Sequence, residues 1–146
     1  MKFAHVLFFV PLLLGNARAE VIASCGGSAG KVYFVEGGAV SKEQSGFQND
    51  KVSDGTISLT FENEELDVVY GDATGELYSS SKNGALVTPV SITEENIHVL
   101  VLYPGVSAET YMFRPVTGEV VWSQSRATSM ISKVGIMRAS CAFNLD

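Results

Sequence analysis

From Thr56 the chain alternates polar and apolar positions: Thr56-Ile57-Ser58-Leu59-Thr60-Phe61-Glu62 puts Ile57, Leu59 and Phe61 on one face of an extended segment. Asn63-Glu64-Glu65 makes a tight connection and Leu66-Asp67-Val68-Val69-Tyr70 runs back, which predicts a β-hairpin. Further strands are expected over Leu86–Val90, Ile97–Tyr103, Glu109–Phe113, Glu119–Ser125 and Lys133–Phe143, separated by turn chemistry such as Asn83-Gly84 and Pro104-Gly105. Pro89 lacks a backbone donor, so its strand belongs at an edge or at a bulge. Ile97–Tyr103 is the most apolar run after the amino-terminal segment and is expected to lie inside the sheet.

Upstream, Lys31-Val32-Tyr33-Phe34-Val35 reads as the first strand, following a small-residue stretch over Gly26–Gly30. Residues 36–55 turn polar, and a connection of that length either is functional or hides a short element. Phe47 and Val52 point to a hidden element. No window beyond the amino terminus sustains a helical period for three turns. The fold class is therefore all-β, a single antiparallel meander of about eight strands, either closed as a small barrel or folded as a β-sandwich.

The amino terminus follows a different pattern. Lys2 precedes an apolar run from Val6 to Leu14 broken only by Pro11, then Gly15-Asn16 and an Ala-x-Ala site at Ala17-Arg18-Ala19. That is the layout of a cleavable secretory signal, too short to span a bilayer as a helix, and no later stretch suits a transmembrane segment. The expected organisation is a signal peptide over residues 1–19 and one β domain over residues 20–146. A domain of this size buries roughly two thirds of its unfolded surface without needing a metal.

Export gives the cysteines a meaning. Cys25 and Cys141 are the two in the chain, and an even count in an exported protein implies a disulfide that ties the start of the domain to its last strand. Loop closure of that length stabilises by about 4 kcal/mol in the chain-entropy model. A rival reading takes Ile22-Ala23-Ser24-Cys25 as a lipoprotein box with Cys25 lipid-anchored. Arg18 and Glu20 oppose it by placing charges where such signals stay apolar. The expected location is periplasmic or secreted, with the lipid anchor as the minor alternative.

Residues 20–146 hold eight of the ten basic residues and all sixteen acids, a net charge of −8. Such a surface opposes binding to nucleic acid. It favours encounter with a cationic protein.

Chemistry-bearing motifs are sparse. His98 is the one histidine after the leader, no Gly-x-Ser-x-Gly elbow exists, and no zinc-ligand spacing is found, so no metal, cofactor or catalytic residue is assigned. Ser79-Ser80-Ser81-Lys82 has the Ser-x-x-Lys spacing without the companion motifs that give it meaning, and reads as a loop tip. Asp67 with Asp72, or Glu64 with Glu65, can be drawn as acid and base pairs, but sixteen acids in a small domain produce such pairs by chance. Asp72-Ala73-Thr74-Gly75-Glu76 lacks the later ligands of a calcium loop.

The one suggestive constellation is aromatic. Tyr103, Tyr111, Phe113 and Trp122 fall on three successive strands, which neighbour one another in a meander, so the rings share either the core or the wall of a ligand pocket. Arg114 and Arg126 stand near strand ends as a candidate polar rim.

Taken together, Ala23-Ser24-Cys25-Gly26-Gly27-Ser28, Thr56–Thr60, Val69-Tyr70-Gly71-Asp72-Ala73-Thr74-Gly75, Glu109–Phe113 and Val120–Ser125 resemble a set of small exported bacterial proteins of uncharacterised function. The resemblance spans most of the chain after the leader, implies a periplasmic address, and brings no activity or site residues. The expected function is a non-enzymatic binding or inhibitor module for a small apolar ligand or a cationic protein. The alternatives are a carboxylate-dependent hydrolase and a structural or envelope-assembly protein.

Overall fold

The computed structural model describes residues 19–145. The leader expected over residues 1–19 lies, apart from Ala19, outside the described residues, as does Asp146. The strands are β1 (Glu20–Cys25), β2 (Ser28–Val35), β3 (Gly46–Val52), β4 (Thr56–Glu62), β5 (Glu65–Gly71), β6 (Leu77–Ser79), β7 (Leu86–Ile92), β8 (Ile97–Tyr103), β9 (Ser107–Arg114), β10 (Glu119–Ala127) and β11 (Ser132–Phe143). All pairings are antiparallel. No helix among the described residues is long and apolar enough to cross a membrane.

Nine strands run β6-β5-β4-β1-β11-β10-β9-β8-β7 in a sheet curled into a half-barrel, while β2 and β3 branch from β11. β7 comes to lie against β5 without pairing with it. The branch arises because β11 changes partner along one side. Its residues Ser132–Arg138 pair with β2 and its residues Cys141–Phe143 pair with β1, while the opposite side pairs β10 from Ser132 to Ser140. Gly26-Gly27 is therefore a corner at which the chain leaves one leaf of the sheet for the other. Between β2 and β11 the backbones run so close that a Cβ at Gly30 would collide with the carbonyl of Ile136.

Alternation explains the core. Leu59 and Val68 from β4 and β5, Val99 and Val101 from β8, Phe113 from β9 and Val120 from β10 are fully buried. At the hairpin between β4 and β5, Asn63 and Glu64 both take left-handed conformations, with φ of 52° and 66°. That is the backbone of a two-residue type I′ turn. Pro89 sits on β7, the strand at the end of the path, and the register shifts between Pro89 and Ser91. The missing donor thus falls where a bulge already interrupts the ladder. His98 is half-buried on β8 and stands opposite Met112.

The sheet holds more strands than the alternation alone announced. β2 begins at Ser28 rather than Lys31, and the polar segment 36–55 contains a 3-10 turn over Lys42–Gln44 followed by β3. β1 and the three-residue β6 carried too few alternating positions to be read.

Cys25 and Cys141 stand opposite each other in the β1–β11 register and form a disulfide, with a Cα separation of 4.0 Å. The bridge spans 116 residues, joining the first strand to the last.

Candidate functional site

The inner face of β8–β11 is a grid of four cross-strand rows, because strands in strict antiparallel register place every second side chain on the same side. The deepest row holds Ile97, Phe113, Val120 and Ala139, and all four are buried. The next holds Val99, Tyr111, Trp122 and Met137. The third holds Val101, Glu109, Gln124 and Gly135, and the last holds Tyr103, Ser107, Arg126 and Lys133. Polarity rises row by row from a hydrocarbon base to a charged mouth. The sheet packs its core with one end of these strands and opens a cavity with the other.

That cavity has a volume of about 510 Å³. Tyr103, Tyr111, Trp122 and Glu109 form one wall, and Ile57 and Tyr70 from β4 and β5 face them. The Tyr111 and Trp122 rings lie near parallel, 13° apart with centroids at 5.8 Å. Of the four expected ligand-face aromatics, Tyr103, Tyr111 and Trp122 line the cavity. Phe113 is fully buried one row deeper, where it stacks on Tyr111 at 6.2 Å. The two arginines part company. Arg126 lines the cavity near its mouth, whereas Arg114 is held by Glu119 at 2.7 Å and takes no part.

Glu109 was not singled out by sequence reasoning. It is 8% exposed, and among the described residues it is the one buried charged side chain. Its carboxylate accepts hydrogen bonds from Tyr111 Oη at 2.6 Å, Gln124 Nε2 at 2.7 Å and Ser107 Oγ at 3.4 Å. Burial, followed by the neighbouring charge of Glu109, pushes the Tyr111 phenol well above the usual tyrosine range, so this hydroxyl stays a donor. Burial likewise raises Tyr103. The Ser80 and Tyr70 hydroxyls lie close enough to influence Tyr103, yet Tyr103 Oη, Ser80 Oγ and Trp122 Nε1 are all buried without a partner in hydrogen-bond geometry. A buried donor left open costs about 1–3 kcal/mol unless a ligand or water meets it.

The other carboxylates considered from sequence serve turns. Asp67 accepts from the Ser79 hydroxyl and from the amide and hydroxyl of Ser81. Asp72 also lines the cavity, but it is tied to its own turn by the Thr74 amide and hydroxyl, which hold its carboxyl below the usual range. In the Ser79–Lys82 segment it is the Lys82 backbone amide that bonds Ser79 Oγ, at 3.1 Å, closing a turn. Glu65 begins β5, and Glu64 sits in the hairpin turn. Among the described residues no group of three His, Cys, Asp or Glu side chains is placed to hold a metal.

Comparison of the chain with protein-family models, curated proteins and solved structures finds no match.

Proposed function

We propose that this protein is a non-enzymatic binding module which takes a small, largely apolar ligand into the half-barrel, and that it works outside the cytoplasm. The observation that carries the reading is the cavity of about 510 Å³ walled by Tyr103, Tyr111 and Trp122. Its volume falls within the range of small-molecule sites, which pair apolar walls with a few placed polar groups. Glu109 and Gln124 supply such groups. Support for binding over carboxylate hydrolysis comes from Asp72, the second acid in the wall, which is engaged by its own turn rather than set against Glu109.

The extracytoplasmic address rests on the leader pattern in the sequence together with the disulfide. Because the Cys25 sulfur is bonded to Cys141, we read the domain as periplasmic or secreted and free rather than lipid-anchored.

Trp122 is the single tryptophan of the chain and lines the cavity, so it reports occupancy directly. Titration with the neutral fluorophore N-phenylnaphthylamine is expected to quench Trp122 as probe emission rises. Ser107→Phe, which fills the mouth, is expected to abolish both changes while circular dichroism stays the same. Absence of energy transfer from Trp122 in the wild-type protein would overturn the reading.

A further inference from the structure

We propose that the ligand of this cavity is an organic cation: an amine or related ammonium group on an apolar body, seated with its charge on Glu109 and its body against Tyr111 and Trp122. This rests on reading the cavity as a ligand site.

A buried carboxylate is costly unless a positive charge or a full set of donors compensates it. Glu109 has donors only: Tyr111, Gln124 and Ser107 are all neutral. The ion pairs among the described residues lie elsewhere, joining Arg114 and Arg138 to Glu119 and Lys133 to Asp50. The cavity wall therefore carries a negative charge that hydrogen bonds hold in place and no cation within 4 Å neutralises.

The next row of the grid supplies the second requirement. Tyr111 and Trp122 occupy the register positions just below Glu109 and Gln124. A cation beside aromatic rings is attracted by the negative faces of their π systems, most strongly where water is excluded. A carboxylate next to a pair of aromatic rings is thus matched to a charge on an organic body rather than to a bare metal ion, which prefers a shell of oxygen ligands. The surplus of acids over residues 20–146 adds a long-range field of the same sign, which concentrates cations near the mouth.

Arg126 is the protein's own competitor. It lies one row nearer the mouth than Gln124, is exposed, and makes no ion pair among the described residues. Its position sets a barrier to weak cations, and its removal favours cation binding.

The test uses three probes that share one phenylethyl body, namely phenethylamine, phenethyl alcohol and hydrocinnamate. Each is titrated into the disulfide-bonded protein near neutral pH and followed by Trp122 emission and calorimetry. The amine is expected to bind about tenfold more tightly than the alcohol, with hydrocinnamate weakest. Glu109→Gln keeps the side-chain shape and is expected to reduce the amine to the affinity of the alcohol while leaving the alcohol unchanged, which also shows that the variant is folded. Arg126→Ala is expected to tighten the amine alone. If alcohol or hydrocinnamate binds as well as the amine, the cation assignment is wrong and the cavity reading stands. An amine preference that survives Glu109→Gln overturns the seat on Glu109, and binding of none of the three overturns both readings.

Discussion

Gln124 and Glu109 face each other across β10 and β9, and the Gln124 amide donates to the Glu109 carboxylate at 2.7 Å. The pair fixes where the hydrocarbon interior ends and the polar half of the cavity begins.

Tyr111→Phe removes the shortest of the three hydrogen bonds to Glu109 and leaves the ring stack in place. A hydrogen bond to a charged group contributes about 1.5–3 kcal/mol, so a loss of that size is expected in urea denaturation. A loss below the measurement error would mean that the Glu109 carboxylate is not held as described.

The same tyrosine makes alkaline stability informative. An unfolded tyrosine ionises near pH 10, whereas folded Tyr111 keeps its proton to a higher pH, chiefly because it is buried. Above pH 10 the unfolded chain therefore binds fewer protons than the native one, and stability falls as pH rises. Its contribution is complete below that pH. Tyr111→Phe is expected to flatten the alkaline limb without flattening it fully, since Tyr103 is also raised and the hydrogen bond from Tyr78 to Glu76 pushes Tyr78 up to about 12. Equal slopes for wild type and variant would contradict the assignment.

Reduction of Cys25–Cys141, or the double change Cys25→Ala with Cys141→Ala, is expected to cost about 4–5 kcal/mol, the chain-entropy figure for a loop of this length. Guanidinium midpoints of oxidised and reduced protein give the comparison. Coincident midpoints would show that the bridge contributes nothing.

The β4–β5 turn offers a change in the opposite direction. Glu64 holds a φ of 66°, a conformation that costs a non-glycine residue roughly 1–2 kcal/mol. Glu64→Gly creates the Asn-Gly pair that type I′ turns favour and is expected to stabilise by about 1 kcal/mol. A lowered melting temperature would argue that this turn is not of that type.

Gly30→Ala tests the seam between the leaves. The added methyl has no room against the Ile136 carbonyl, which is backbone and cannot swing aside, so a loss on the order of 3 kcal/mol is expected. Unchanged thermal stability would place β2 farther from β11 than described.

Much of the frame was legible because period-two alternation survives wherever one face of a strand is buried and the other is wet. β4 shows it plainly, β8 was legible instead as the most apolar run, and Pro89 marked its own strand as an edge. The rings at 103, 111 and 122 were traceable to one wall because consecutive strands in a meander are neighbours. Phe113 went to the core because it lies two residues farther from the mouth than Tyr111, and alternation gives the face of a residue but not its depth. Glu109 left a signal that went unread: with Tyr111 and Phe113 it continues one inward-facing series, an acid where an apolar residue was due. β1 was obscured because Glu20–Cys25 carries too few alternating positions, and β6 by having three residues.

The partner change along β11 bears on the order in which the fold is built. This strand follows every other element in the chain, yet β10, β2 and β1 all hydrogen-bond to it. During synthesis, which runs from the amino end, both leaves wait with open edges until Ser132–Phe143 has emerged. Closure is then a single late event that draws together segments more than a hundred residues apart, and the sulfur of Cys141 reaches Cys25 only at that step. A nascent chain halted short of Ser132 has neither its seam nor its crosslink, and exposes to chaperones and proteases an apolar surface that the finished molecule conceals.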